Sequence, residues 1–308
     1  EHHYGVLLGY TDDGISSHLD SVWQMFRGGF GWLILPVMLL LGMSDLIGLL
    51  PLSDQLQPIV KVCAILAFAA FGLPVLIRRL FKTSSLGESN EAWIRQLMDA
   101  ARLKRTRAVR WETGGKTYNA MVAGFVPPLR SLLISDRLID ELPPQQVAMV
   151  VLHEAAHVRR RHVPIRMMAV LPAWGMGALA TRLAGDHPWA LLFGSVVGIL
   201  LTMVLLRLVA HRTEFDADVV ACRIAESMGG NVANVPSTYS QAAETLSAAL
   251  LRVTRDQPSV RKRTWLHPGV AERVEWMRSQ ESRENPTPES SMHIADTNVA
   301  TSANSVTA

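Results

Sequence analysis

Residues 147–158 read VAMVVLHEAAHV, an apolar run into which His153, Glu154 and His157 are set. Prolines at 143 and 144 suit a first helical turn, and the spacing predicts a helix from there through Val147 and Val151 past His157. Four residues on a helix is just over one turn, so both imidazoles leave from one face and can share one ion. Burying two histidines and a glutamate among valines and leucines is costly unless something pairs them. H-E-x-x-H on a helix is the pattern of a zinc site. Zinc accepts such nitrogens at about 2.0–2.1 Å and can leave a fourth position open for water. Glu154, beside the first histidine, is placed to take the proton of that water. The competing explanation is an ordinary helix that carries two histidines by chance.

Only two cysteines are present, Cys63 and Cys222, which is neither a disulfide framework nor a Cys-type zinc site. A metal must be held by histidine and carboxylate, and residues 211–218, HRTEFDAD, offer Glu214 as the third ligand of a His2Glu set. One turn further on, Asp218 can accept the spare N–H of a ligating imidazole and fix its tautomer. Alone, such an acidic turn is a solvated helix face; beside H-E-x-x-H it gains meaning.

The chain has 308 residues, 49% of them hydrophobic, and a mean hydropathy of +0.18, which is high for a soluble domain. Four apolar runs carry the excess: Trp32 to Leu50, Pro58 to Ile77, Val163 to Ala184 and Trp189 to Ala210. Each approaches the roughly 20 residues that cross a bilayer. They pair as two hairpins, the first joined by a Pro/Ser/Asp/Gln turn and the second by residues 185–188. Asp45 is placed at the interface, and Arg166 and Arg182 are expected to snorkel towards headgroups. The net charge of +3 lies beside these runs and reads as membrane orientation rather than nucleic-acid binding. Lysine and arginine crowd residues 78–161 and are missing from the loops at 51–57 and 185–188, which predicts a cytoplasmic polar domain. The chain opens on Glu1 rather than methionine, as a processed product or a piece of a longer protein does.

The expected organisation is an N-terminal segment (1–27), a transmembrane hairpin (28–82), a first polar half with a small sheet and the H-E-x-x-H helix (84–162), a second apolar hairpin (163–210), a second polar half (211–283) and a disordered tail (284–308). Within the polar halves, helices are predicted over Ser89–Leu103 and Tyr239–Arg255. Strands are predicted at Ala108–Trp111, Tyr118–Val122 and Ser131–Ile134. The fold class is mainly α with a small β-sheet, α+β.

His153-Glu154-x-x-His157, Glu214-Phe215-x-Ala217-Asp218, Asn119-Ala120, and His267-Pro268 with Arg273 together resemble the HtpX-type membrane zinc peptidases, relatives of the CaaX prenyl proteases. The resemblance runs from about Ala92 to Met277. It implies a multi-pass cell-membrane protein with a zincin-like, gluzincin metallopeptidase domain. Its active site would lie on the cytoplasmic side, hold one Zn2+ per chain, and act on membrane or misfolded proteins in quality control. By the same likeness, Asn119 and Ala120 belong to an edge strand on which an extended substrate lies, and His267 and Arg273 support the site or the developing oxyanion. Met121-Val122 departs from the aromatic and small residues that often follow in the relatives. Val163 replaces the third histidine of the metzincin pattern, and His162 and His211 read as interfacial. Competing functions are a zinc-binding scaffold or adaptor without turnover, an antibiotic-sensor type of signalling metalloprotease, a prenyl-protein protease, and zinc transport.

Overall fold

The computed structural model describes residues 31–284 except Phe125 and Gln257, so the expectations for residues 1–27 and for the tail beyond 284 fall outside it. The chain divides into two compact units, Glu1–Arg95 with Leu103–Asp140 and Gln96–Arg102 with Glu141–Ala308, each considered over its described residues. The architecture is mostly helical with one small mixed sheet, as the sequence predicts.

The first unit opens with α1 (Gly31–Gly48), α2 (Leu56–Ala67) and α3 (Leu73–Leu80). Between α2 and α3 the five residues Phe68–Gly72 form a π-helical turn. Pro74, two residues on, has no N–H to donate, and a widened turn is one way a helix passes such a residue without ending. The whole stretch Leu56–Leu80 is long and apolar enough to cross a membrane, whereas Ile34–Gly48 is shorter than a span. Then come β1 (Thr83–Ser84), α4 (Glu88–Ala100), β2 (Arg107–Trp111), β3 (Ala120–Ala123), β4 (Ser131–Ser135) and the short α5 (Asp136–Glu141). In the sheet, with order β1-β2-β4-β3, β2 and β4 run parallel and the other pairs antiparallel. Every residue of β4 is buried, which is why SLLIS shows no alternation. Val109, Ala123 and Leu133 form a core against which Ile77, Phe81, Trp111 and Met121 pack. Asp136, opening α5, accepts hydrogen bonds from the backbone N–H groups of Thr113 and Gly115 and so ties down the loop ahead of β3.

The second unit holds α6 (Pro144–Arg159), α7 (His162–Met168), α8 (Leu171–Leu183), α9 (Ala190–Met228), α10 (Tyr239–Val253), α11 (Pro258–Arg261) and α12 (Val270–Glu284). Helix α9 has 39 residues and is roughly 60 Å long. It continues without a break past 210, where the sequence reading divides an apolar hairpin from a polar half. No glycine or proline occurs between Ala210 and Met228, and Gly229 ends the helix in a left-handed conformation (φ 53°). Helix α9 packs along α8 and against α6, α10 and α12. Stretches His162–Leu183 and Ala190–Met228 are both long and apolar enough to cross a membrane, and with Leu56–Leu80 they are the three such helices among the described residues. Leu183, Leu191, Leu192 and Trp174 are left exposed, as side chains facing lipid are.

The α8–α9 contact is made by glycine. A Cβ on Gly177 would lie 2.8 Å from the Gly194 carbonyl oxygen, and one on Gly194 would overlap Thr181 Oγ1. Gly198 has room, its nearest neighbours standing 3.6 Å away. Gly194→Leu is therefore expected to force the helices apart and lower stability by about 1–3 kcal/mol or more. Gly198→Ala should be nearly neutral. Thermal unfolding of the detergent-solubilised protein measures both, and equal stability of the two variants would show that the helices do not meet through Gly194.

Candidate metal centre

Helices α6 and α9 supply three donors that converge. His153 Nε2 and His157 Nε2 are 3.1 Å apart, Glu214 Oε1 is 3.4 Å from His157 Nε2, and Glu214 Oε2 is 3.7 Å from His153 Nε2. A tetrahedral ion with ligands at about 2.0–2.1 Å separates its donors by roughly 3.3 Å, and the two imidazole nitrogens and the Glu214 carboxylate stand close to that spacing. The cluster is largely buried, with Glu214 at 3% and His153 at 8% exposure. Among the described residues it is the one group of histidine, cysteine and acidic side chains with metal-holding geometry.

The tautomers agree with that reading. Asp218, fully buried one turn beyond Glu214, places Oδ1 2.9 Å from His153 Nδ1. A carboxylate can only accept, so this close contact favours hydrogen on Nδ1 and leaves Nε2 to face the centre. Burial disfavours charge on His153, yet Asp218 and Glu214 outweigh it and move the imidazole up to about 9. Their negative potential is what a divalent cation would meet. Burial, followed by the charge of His153, pushes His157 down to about 2, which keeps its nitrogen free to donate a lone pair. The donor set thus fits a zinc-type cation in charge, softness and spacing.

Residues 88–281 match the model of peptidase family M48. The chain belongs to that family. The match covers both segments that form the site, and three of the described helices are long and apolar enough to cross a membrane. The crystal structure of S. mikatae Ste24p shares the fold, with a TM-score of 0.54 at 14% identity, covering 86% of this chain and 66% of that one. This chain therefore spans just under two thirds of the Ste24p length. No curated protein matches.

Glu154 of the H-E-x-x-H helix is half-buried beside His153. Its charge is felt by Arg273: burial opposes the guanidinium, but Asp218, then Glu214 and Glu154, raise its pKa above the ordinary value. Arg273, on α12, grips Asp218 with Nε at 2.7 Å and Nη2 at 2.5 Å, and its Nη1 stands 3.7 Å from Glu214. His267 brings Nδ1 to 3.3 Å from Glu214 Oε2 and is more than half exposed. Of the sequence candidates, His153, Glu154, His157, Glu214, Asp218, His267 and Arg273 all gather in the second unit. Asn119 and Ala120 belong to the first. There Asn119 N–H donates to Ser135 Oγ, and Ala120 begins β3, which pairs with β4 alone and so forms one edge of the sheet.

Three residues stand where the sequence reading did not put them. Arg166, expected among headgroups, donates from Nη2 to Glu214 Oε1 at 2.9 Å and from Nε to Thr213 Oγ1 at 2.9 Å. An arginine seven places beyond the H-E-x-x-H helix has a buried carboxylate within reach, and desolvated pairing outcompetes snorkelling. His211 is buried rather than interfacial. Its Nε2 donates to the Thr264 carbonyl at 3.2 Å and thereby holds the turn in which His267 N–H donates to Thr264 Oγ1. His162, also read as interfacial, is only 2% exposed and lies against His157, its Nδ1 2.8 Å from His157 Nδ1.

Proposed function

We propose that this M48 chain is a zinc endopeptidase of the cell membrane, of the HtpX-like quality-control type, which hydrolyses peptide bonds in membrane or misfolded proteins. One Zn2+ per chain is held by His153, His157 and Glu214. The observation that carries the reading is the spacing of those three donors, with a general-base carboxylate on the residue next to His153. When bound, the ion supplies Lewis acidity to a water and to the scissile carbonyl. Glu154 takes the proton of the attacking water and returns it to the leaving amine. Asp218 keeps His153 in the tautomer that donates from Nε2, and Arg273 holds Asp218 in place. His267, exposed beside Glu214, is available to hydrogen-bond the developing oxyanion.

The edge position of β3 supports a role for Asn119 and Ala120 in receiving an extended substrate, since an unpaired strand edge binds main chain whatever the side chains. The concentration of lysine and arginine over residues 78–161 supports an active site facing the cytoplasm. Partners are then polypeptide substrates and the lipid bilayer, with no role for nucleic acid.

Full-length protein purified in detergent is expected to cleave casein, to lose that activity in 1,10-phenanthroline, and to regain it when zinc is added in excess of the chelator. Cleavage that continues at full rate in the chelator, from a sample freed of other proteases, contradicts the reading.

A further inference from the structure

We propose that His162 is a positioning residue for the site, a second imidazole that holds His157 in its donating tautomer and passes the hydrogen bond on to Asp216. The proposal rests on the zinc reading above and extends it to a part of the molecule that the H-E-x-x-H pattern does not include.

The hydrogen bonds run in one direction only. For His157 to donate its lone pair from Nε2, its Nδ1 must carry the hydrogen, and Nδ1 lies 2.8 Å from His162 Nδ1. His162 Nδ1 then accepts, so its Nε2 carries a hydrogen, and Nε2 lies 2.9 Å from Asp216 Oδ2. Asp216 accepts again from Arg160, whose Nε is 2.8 Å and Nη2 3.2 Å away. Each polar atom in the chain has one role and fills it. The arrangement repeats, one imidazole longer, what Asp218 does for His153. Both imidazoles end on a carboxylate of α9, and both carboxylates are clamped by an arginine: Asp218 by Arg273, Asp216 by Arg160.

The backbone makes this possible at a cost. On an unbroken helix a residue five places after His157 projects about 140° away from it and cannot touch its ring. Here α6 ends at Arg159, Arg161 takes a left-handed conformation (φ 56°), and α7 restarts at His162. A left-handed non-glycine residue is unfavourable by roughly 1 kcal/mol, and such strain persists where surrounding contacts fix it. The reversal turns the His162 ring back onto His157 at a centroid separation of 4.9 Å, edge to face.

Zinc affinity, measured by chelator competition on full-length protein in detergent, separates positioning from packing. Each variant also carries Glu154→Gln to prevent self-digestion. His162→Ala and His162→Leu are expected to lower affinity about 10- to 100-fold. His162→Asn, whose amide oxygen stands where Nδ1 stood, should recover most of that loss. The Co2+ form should show the same order, with a changed visible spectrum for Ala and Leu and a near-parental one for Asn. Asp216→Ala, at a partly exposed position, should give a smaller loss of the same sign and serves if the His162 variants do not fold. A leucine variant that binds as tightly as the asparagine one makes His162 a packing residue and overturns the proposal. Unchanged affinity in every variant overturns it too, while leaving the zinc site standing. If the Glu154→Gln parent itself binds no zinc, the metal reading fails and this proposal with it.

Discussion

Glu154→Gln is expected to lower the rate of peptide cleavage by about 10²–10⁴-fold or more while leaving zinc content at the parental level. Gln keeps the length and shape of the side chain and removes only its ability to take a proton at neutral pH. None of the three converging donors is changed, so metal binding has no reason to weaken. Loss of the Glu154 charge also removes one of several carboxylates near Arg273, but Asp218 still grips that guanidinium at two points. Stability should therefore hold. The measurement is casein cleavage and metal content on the same preparation. Retained cleavage contradicts the general-base role, and lost zinc would make Glu154 a part of the metal shell instead.

The second large effect is expected at Asp218. Its carboxylate is inaccessible to solvent and serves two partners at once, His153 Nδ1 and the Arg273 guanidinium. Asp218→Ala leaves a buried cation without its anion, which is destabilising by about 3–5 kcal/mol. It also leaves the His153 N–H without an acceptor, which should weaken zinc binding on the order of 10- to 100-fold. The two losses can be separated. Removing Arg273 as well, as Asp218→Ala with Arg273→Met, abolishes the orphaned charge and should restore much of the stability, because deleting both members of a buried pair costs far less than deleting one. Zinc affinity should stay low, since the acceptor for His153 is still missing. Thermal unfolding and chelator competition read the two quantities. A double variant as unstable as the single one would show that Arg273 is not what Asp218 stabilises.

What could be read from the sequence was whatever depends on local periodicity or residue type. The H-E-x-x-H helix opens at its prolines and carries its histidines one turn apart, and the three predicted strands appear within two residues of their expected bounds. Glu214 and Asp218 are one turn apart on one helix, so their common face follows from spacing once a carboxylate ligand is sought. The role of His162 could not be read this way. It depends on a left-handed residue at Arg161, and nothing in the run VRRRHV marks which arginine will adopt it. Arg166 misled for a related reason: an arginine in an apolar stretch can reach headgroups or a buried carboxylate equally well, and only the position of Glu214 decides between them. The length of α9 was legible in principle, because no helix breaker separates Ala210 from Met228, but the change from apolar to charged residues there looks like a boundary. The short α5 and the two-residue β1 are fixed by tertiary contacts and carry little pattern of their own.

The central claim is that His153, His157 and Glu214 hold one zinc ion at which peptides are cut. It is tested most directly by metal analysis of the detergent-purified full-length chain beside His153→Ala and Glu214→Ala, with casein cleavage followed in the same samples. The account predicts about one zinc per chain in the parent, and loss of both metal and cleavage in each variant. Zinc that survives Glu214→Ala at full stoichiometry, or a parent that cleaves casein with no metal bound, would contradict it.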